Sequence, residues 1–220
     1  MVHLFEPFGC IANGPTTQEA IAATPEAIQA YLRFRRATGE DAPAPDSITT
    51  LVVEHVTEGQ WLGNGSPYLS FGPDLEPVTA EEIPIFCRRL TALREVIAAW
   101  AERQSDAVLD APAQGRTARA ILLHVLGPTA AYLSAVTGTV PGISRLQTQA
   151  ERGQVPIGEA LRRATALAVE RVLATTDEER SIVIQRPKEI RTLRKALRRM
   201  LEHDWEHLRE LSRRPGGPTW

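Results

Sequence analysis

Two histidines near the C-terminus have the residue type and spacing that bind metal ions. They are His203 and His207, in the segment MLEHDWEHLREL. Residues four apart on a helix lie over one another, so both imidazoles can reach a single point. Helical periodicity counted from Leu193 puts His207 on the apolar face and His203 at its edge. Since imidazole nitrogens need partners when they face a core, this position favours a divalent metal ion between them.

A third histidine, His124, lies in the apolar segment AILLHVL, which predicts a buried helix. Three neutral imidazoles leave one or more positions of a divalent ion open to water or substrate, whereas closed structural zinc sites more often use four ligands, commonly thiolates among them. The set therefore favours a reactive or ligand-exchanging metal site. The simpler alternative is that the His203–His207 spacing arises by chance and that His124 only bonds a carbonyl group.

The acidic residues around the pair divide into two groups. Asp204 falls on the apolar arc, where it either accepts a hydrogen bond from an imidazole or pairs with an arginine of a neighbouring helix. It is also the one weak candidate for a general base. Glu202 and Glu206 are predicted to point outward into solvent.

Composition sets the broad class of the protein. The 220 residues are 43% hydrophobic and 24% charged, with a net charge of −2, which is ordinary for a globular protein and gives no general attraction to nucleic acid or anionic membranes. The N-terminus lacks the features of a signal peptide, and no apolar run is expected to span a bilayer. Two cysteines far apart, Cys10 and Cys87, suggest a reduced protein,. We therefore expect a cytoplasmic location.

The chain divides into three regions by sequence texture. Residues 1–62 predict a small α+β unit, with short strands at Val2–Phe5 and Cys10–Ala12, a helix from Thr17 to about Gly39 that Pro25 kinks or restarts, and a strand at Ile48–Val56,. Residues 63–78 are rich in glycine and proline and predict a linker. Residues 79–214 predict helices only.

Four amphipathic helices are expected in this last region. The first opens with a capping box at Thr79–Glu82, the second runs from about Thr117 to Val136 with a bend at Gly127–Pro128, the third starts at Pro156, and the fourth spans roughly Pro187–Arg213,. The second should be the most buried because it is apolar almost all round. A four-helix bundle is the default arrangement. The long stretches 137–155 and 175–187 predict crossover connections.

Residues 79–213 resemble the DinB/YfiT-like superfamily of bacterial four-helix bundles. The resemblance lies in TARAILLH, which ends at His124, and in TLRKALRRMLEHDWEHLREL, which carries His203 and His207. It implies crossover connections, a divalent metal, usually nickel or zinc, held by these three histidines, and frequent dimers. It also implies an enzymatic activity, since the superfamily includes transferases that use low-molecular-weight thiols and maleylpyruvate isomerase.

Residues 1–60 are similar to HicB-like domains, which have a double-stranded-RNA-binding-like fold and often act as antitoxins. The similarity rests on FGCIANGPTTQEAI at residues 8–21 and AIQAYL at residues 27–32. The first strand of that fold is missing and no DNA-binding segment follows, so nucleic acid is not an expected partner. An incomplete sheet leaves an edge that can pair with a partner chain.

Two functional hypotheses follow from the sequence. In the first, the protein is a cytoplasmic homodimer with a metal-dependent transferase, isomerase or hydrolase activity on a small molecule, and a thiol binds the open metal position. In the second, it is a non-enzymatic interaction protein, such as a HicB-like antitoxin, with the bundle as support. No membrane partner is expected.

Overall fold

Helices form most of the structure, a computed structural model that describes residues 1–113 and 115–220. The helices are α1 (Thr17–Ala22), α2 (Thr24–Ala37), α3 (Glu82–Glu102), α4 (Asp106–Leu109), α5 (Ala118–Leu126), α6 (Pro128–Thr137), α7 (Ile143–Glu151), α8 (Ile157–Leu173), α9 (Asp177–Ser181) and α10 (Leu193–Ser212). The strands are β1 (Val2–Leu4), β2 (Cys10–Ala12), β3 (Ile184–Arg186) and β4 (Glu189–Arg191), in two separate two-stranded sheets. The predicted α+β class with a helical core is confirmed.

The two short N-terminal strands form where the sequence predicts them, and of the two alternatives for Pro25 the helix restarts. β1 and β2 pair antiparallel, with Val2 opposite Ala12. Thr16 caps α1 and forms a capping box with Glu19,. α2 begins directly after α1, with Pro25 in its first turn, where its missing N–H costs no helical hydrogen bond,.

The strand predicted at Ile48–Val56 is wrong. Residues 47–57 have no regular secondary structure, and the side chains of Leu51 and Val53 are 83% and 75% exposed. A β-prone sequence forms a strand only when it pairs and packs against a neighbour. In the described part of the chain, β1 pairs with β2 alone.

Four helical units enclose the main core. α3 packs chiefly on α8 and α10, and α5 with α6 packs on the same two helices. In this arrangement α3 lies diagonally opposite α5–α6, and α8 lies diagonally opposite α10. The connections from α3 to α5 and from α8 to α10 therefore join diagonal helices. The second of these contains the crossover predicted at 175–187, whereas the one predicted at 137–155 is wrong, because α6 and α8 are neighbours joined through α7.

The second predicted helix is divided into α5 and α6 at Gly127, with Pro128 as the first residue of α6. The combined run Ala118–Thr137 is long and apolar enough to cross a membrane, with a mean hydropathy of 1.5, which corrects the sequence expectation on that point. Only 39% of its window is buried, so it is not the most buried helix as predicted. A helix in the core of a folded domain can have the same length and composition, so this finding alone does not indicate a membrane protein.

The most extensively buried of the long helices is α10, in which 16 of 20 residues are buried. It begins at Leu193, six residues later than predicted, because Ile184–Arg191 forms the β3–β4 hairpin and Thr192 caps the helix. The face predicted to be solvent-exposed is covered by the N-terminal segment and by a 3₁₀ turn at Gly72–Leu75.

Glu202 therefore contradicts its prediction, since it is fully buried. Arg198 donates to Glu202 at 2.9 Å and to Asp74 at 2.7 Å, and Nδ1 of His3 lies 3.1 Å from Glu202. The predicted outward position of Glu206 is partly met, because this residue is half-buried and accepts a hydrogen bond from Asn13.

The N-terminal unit shares a hydrophobic core with the bundle. Phe8 stacks on Phe86 of α3, with ring centroids 4.4 Å apart. Tyr31 of α2 lies edge-on to Trp205 of α10 at 5.0 Å and donates its hydroxyl hydrogen to the carbonyl of Phe8. These contacts fix α10 against the N-terminal unit on the side of the helix opposite to α5 and α6.

Candidate metal centre

Three imidazoles meet where α5 passes α10. The ring centroids are 4.8 Å apart for His124 and His203, 4.9 Å for His124 and His207, and 4.5 Å for His203 and His207. One nitrogen from each ring lies within 4.8 Å of the others. Tetrahedral ligands at about 2.0–2.1 Å from zinc are about 3.4 Å apart. A modest movement of the rings would therefore bring all three nitrogens onto one ion.

The cluster lies at the boundary between the core and solvent. His203 and His207 are 7% and 5% exposed, as their place on the apolar face of α10 predicts. His124 is exposed, which contradicts its predicted burial. Its helix presents Ile121, Leu122 and Val125 to the core and leaves His124 at the surface. A small molecule can therefore reach the cluster from the His124 side.

His203 has an unsatisfied ring nitrogen. Its Nε2 atom is buried and has no hydrogen-bond partner in the described part of the chain, while its Nδ1 atom lies 3.4 Å from Oδ1 of Asp204. Leaving a buried polar atom without a partner costs about 1–3 kcal/mol. A metal ion bound at Nε2 would remove that cost, so the residues present fit a divalent metal.

Asp204 contacts both an arginine and an imidazole, the two alternatives predicted for it, and the arginine is the closer partner. Its main partner is Arg94 of α3, whose Nε donates at 2.6 Å, and Arg94 also donates to Thr129 of α6 at 2.8 Å. Burial raises the pKa of Asp204, but the charge of Arg94 outweighs it, and the net pKa lies below the ordinary value. A buried carboxylate paired with arginine is a poor general base. Asp204 is placed instead to orient His203.

His207 is oriented by Glu210, one helical turn further along α10. Nδ1 of His207 donates to Oε2 of Glu210 at 2.8 Å, which leaves the Nε2 lone pair free to bind a metal,. Arg116 donates to the same carboxylate oxygen at 2.7 Å. The Nη2 atom of Arg116 also lies 3.4 Å from Nδ1 of His207, but this is a contact between two donors and not a hydrogen bond.

Glu210, Arg94 and Arg116 belong to the surroundings of the site but were not predicted from the sequence. The spacing of Glu210, three residues after His207, is a signal that could have found it. Arg94 is 110 residues from Asp204, and nothing in the sequence pairs the two. Arg116 lies in the loop before α5, whose path is set by tertiary contacts.

The electrostatics favour neutral imidazoles and an anionic ligand. Burial, followed by the charge of His203, lowers the pKa of both His124 and His207 and so favours the neutral imidazole, which keeps one N–H and offers the lone pair of its other nitrogen. Each nearby carboxylate is already paired with an arginine, Asp204 with Arg94 and Glu210 with Arg116. The positive charge of a bound divalent ion would therefore remain largely uncompensated.

Tyr132 and the two cysteines complete the surroundings. The Tyr132 ring lies 6.4 Å from the His203 ring, and burial raises the pKa of its hydroxyl, so it is a neutral phenol beside the cluster. Cys10 and Cys87 are buried free thiols, and neither belongs to the three-histidine group.

These observations define a mostly helical protein with a cluster of three histidines, two of them buried, that could hold a metal ion. No protein-family model matches the sequence, and comparisons with curated proteins and with solved structures find no match either.

Proposed function

We propose that the protein binds one divalent metal ion through His124, His203 and His207. The observation that carries this proposal is the convergence of three imidazoles on one point, with the buried Nε2 of His203 lacking any partner in the described residues. Asp204 and Glu210 hold two of the rings through their Nδ1 atoms. The metal is nickel or zinc, as the resemblance implies, although an imidazole set selects by metal availability as much as by preference.

The resemblance to the DinB/YfiT-like superfamily supports an activity for this site. We propose a metal-dependent transferase or isomerase of a small molecule, with a hydrolase as a related possibility. This proposal is supported by one histidine on α5 with two on α10 and by the crossover between α8 and α10. A bound ion would act as a Lewis acid and lower the pKa of a thiol or water ligand. The exposed side of His124 admits such a ligand, and Tyr132 borders the cluster.

Elemental analysis of protein purified without a histidine tag tests metal binding. We expect about one ion per chain in the wild type and none in His203→Ala. His55→Ala is a matched control, because His55 is an exposed histidine outside the cluster, and this variant should keep its metal. A far-UV circular dichroism spectrum shows that each variant is folded. Wild-type protein without stoichiometric metal after growth in nickel- and zinc-supplemented medium would refute the proposal.

A second function, in protein–protein interaction, is favoured by the unpaired segment 47–57. Leu51, Val52 and Val53 are 83%, 54% and 75% exposed, and Trp61 is 66% exposed. A groove of about 810 Å³ separates this segment from β1. Exposed apolar residues beside an open strand edge are typical of a surface that binds a partner. We propose that the partner is a second copy of the chain, and that an antitoxin-like role is the alternative.

Light scattering coupled to gel filtration tests this second function. We expect twice the chain mass of 24.2 kDa for the wild type and the single mass for the double variant Leu51→Ser/Val53→Ser. Leu173→Ser, which changes an exposed leucine of α8, is the control and should stay dimeric. A wild-type monomer would refute the dimer. Co-purification of a small toxin would instead support the antitoxin alternative.

A further inference from the structure

An arginine lies at the edge of the histidine cluster. The Arg116 side chain is 41% exposed, and its Nη2 atom lies 2.7 Å from Glu210 and 3.4 Å from the ring of His207. Arg116 is therefore on the solvent side of the cluster, from which a ligand would enter.

The backbone of Arg116 is held in place. Thr117, the next residue, caps α5 by accepting a hydrogen bond from the N–H of Ala120. The guanidinium of Arg214 donates to the carbonyl oxygen of Arg116. Because its own carbonyl group and the next residue are both hydrogen-bonded, the backbone holds the Arg116 side chain beside the cluster.

The guanidinium of Arg116 has donors to spare. An arginine carries five N–H donors. In the described part of the chain, the guanidinium of Arg116 bonds one acidic group, Glu210, and does so through Nη2 alone. Glu210 in turn is shared with His207. The side chain is 41% exposed, so the remaining donors can bind a second carboxylate in the bidentate geometry that arginine favours.

We propose that Arg116 is a specificity-determining residue that binds the carboxylate of a small ligand held at the three histidines. This proposal rests on the proposed metal site and narrows its ligand to a carboxylate-bearing small molecule, such as an anionic thiol. Because the Nη2 atom of Arg116 lies 3.4 Å from Nδ1 of His207, whose other nitrogen is free to bind the ion, a short ligand can reach both the ion and the guanidinium. The uncompensated charge of a bound ion adds to this preference for an anion.

Two thiols of similar size test the proposal with the full-length chain loaded with cobalt(II). Thioglycolate carries a carboxylate and 2-mercaptoethanol carries a hydroxyl in its place, and each thiol changes the visible absorption of cobalt on binding. We expect the wild type to bind thioglycolate about ten- to a hundredfold more tightly, which is the range of a charge-assisted hydrogen bond. Arg116→Gln should lower this ratio about tenfold and leave only the part that the charge of the ion supplies, and Arg116→Lys should keep more of it.

Arg145→Gln, which changes an exposed arginine of α7, is the control and should keep the wild-type ratio. A ratio unchanged in Arg116→Gln, or a wild type without any preference, would overturn the role of Arg116 and leave the metal site intact. A wild-type protein that takes up no cobalt would overturn the proposed function itself, so the two failures are distinguishable. Cobalt content measured for each variant shows that the comparison concerns the ligand alone.

Discussion

Nδ1 of His207 donates a hydrogen bond of 2.8 Å to Oε2 of Glu210, three residues later on α10. This bond fixes the ring orientation and the tautomer, so that the lone pair of the other nitrogen is free for a metal ion. A carboxylate in this position also makes the imidazole a stronger metal ligand. The relationship between the two residues therefore links a local helical spacing to the chemistry proposed for the site.

Replacing Glu210 by glutamine should weaken metal binding. A glutamine amide removes the negative charge that strengthens the His207 ligand, and changes to such supporting groups typically cost about 10- to 100-fold in metal affinity. Competition with a chromophoric chelator measures the loss. The control is Glu206→Gln, one turn before Glu210, because the carboxylate of Glu206 bonds Asn13 and no histidine. Equal affinities for Glu210→Gln and the wild type would contradict the prediction.

The buried pair of Arg94 and Asp204 should dominate the stability around the site. Both side chains are at most 2% exposed, and they are bonded at 2.6 Å. Arg94→Met leaves the carboxylate without its counter-charge, and breaking such a pair costs about 3–5 kcal/mol. Urea unfolding measures this loss. The double variant Arg94→Met/Asp204→Leu should recover a large part of it, since neither charge is then left alone. A double variant less stable than Arg94→Met would contradict this account.

Much of the local structure could be predicted from the sequence. The capping box at Thr79 and Glu82, the β1–β2 hairpin and the break at Gly127–Pro128 depend on residues close in the chain. The convergence of His203 and His207 follows from helical spacing, and the metal-binding role of the three histidines stays a prediction. Local physics is sufficient for these features because each one is set within a few residues.

The parts that could not be predicted depend on distant residues. The burial of Glu202 requires Asp74 and His3, 128 and 199 positions away in the chain, to cover one face of α10. Ile48–Val56 has the composition of a strand, but no described strand pairs with it. In both cases tertiary packing overrides the sequence pattern, and a single helix or strand carries no signal of it.

The two buried thiols should be chemically protected in the native protein. Burial raises the pKa of Cys10 to about 12 and that of Cys87 to about 11. Because the thiolate is the nucleophile, we expect no alkylation by iodoacetamide at pH 8 in the folded state and two modified residues per chain in guanidinium chloride. Mass spectrometry counts the adducts. Rapid native labelling of either cysteine would contradict the burial described.

The same thiols give alkaline pH a defined effect on stability. In the folded state both keep their protons well above the ordinary pKa of about 9, so the unfolded state binds fewer protons above that pH. Their contribution to the free energy of unfolding is complete below about pH 9 and is lost as pH rises towards 11–12. Cys87→Ala should make stability less dependent on pH between 9 and 11. Urea unfolding at several pH values measures this dependence. If the free energy of unfolding of Cys87→Ala fell with pH as steeply as that of the wild type, the assignment to Cys87 would be refuted.

The charged cluster around Glu202 should set the acid limit of the fold. Burial raises the pKa of Glu202, but the charge of Arg198 outweighs it and the net pKa lies far below the ordinary value. Its stabilising contribution is therefore present above about pH 4.5 and is lost as pH falls below that value. Glu202→Gln should lower the free energy of unfolding by at least about 3 kcal/mol at pH 7. This difference from the wild type should become smaller in acid. Glu170→Gln, at an exposed site on α8, should match the wild type at both pH values. If Glu202→Gln lost the same free energy of unfolding at both pH values, packing and not charge would explain the stabilising role of Glu202.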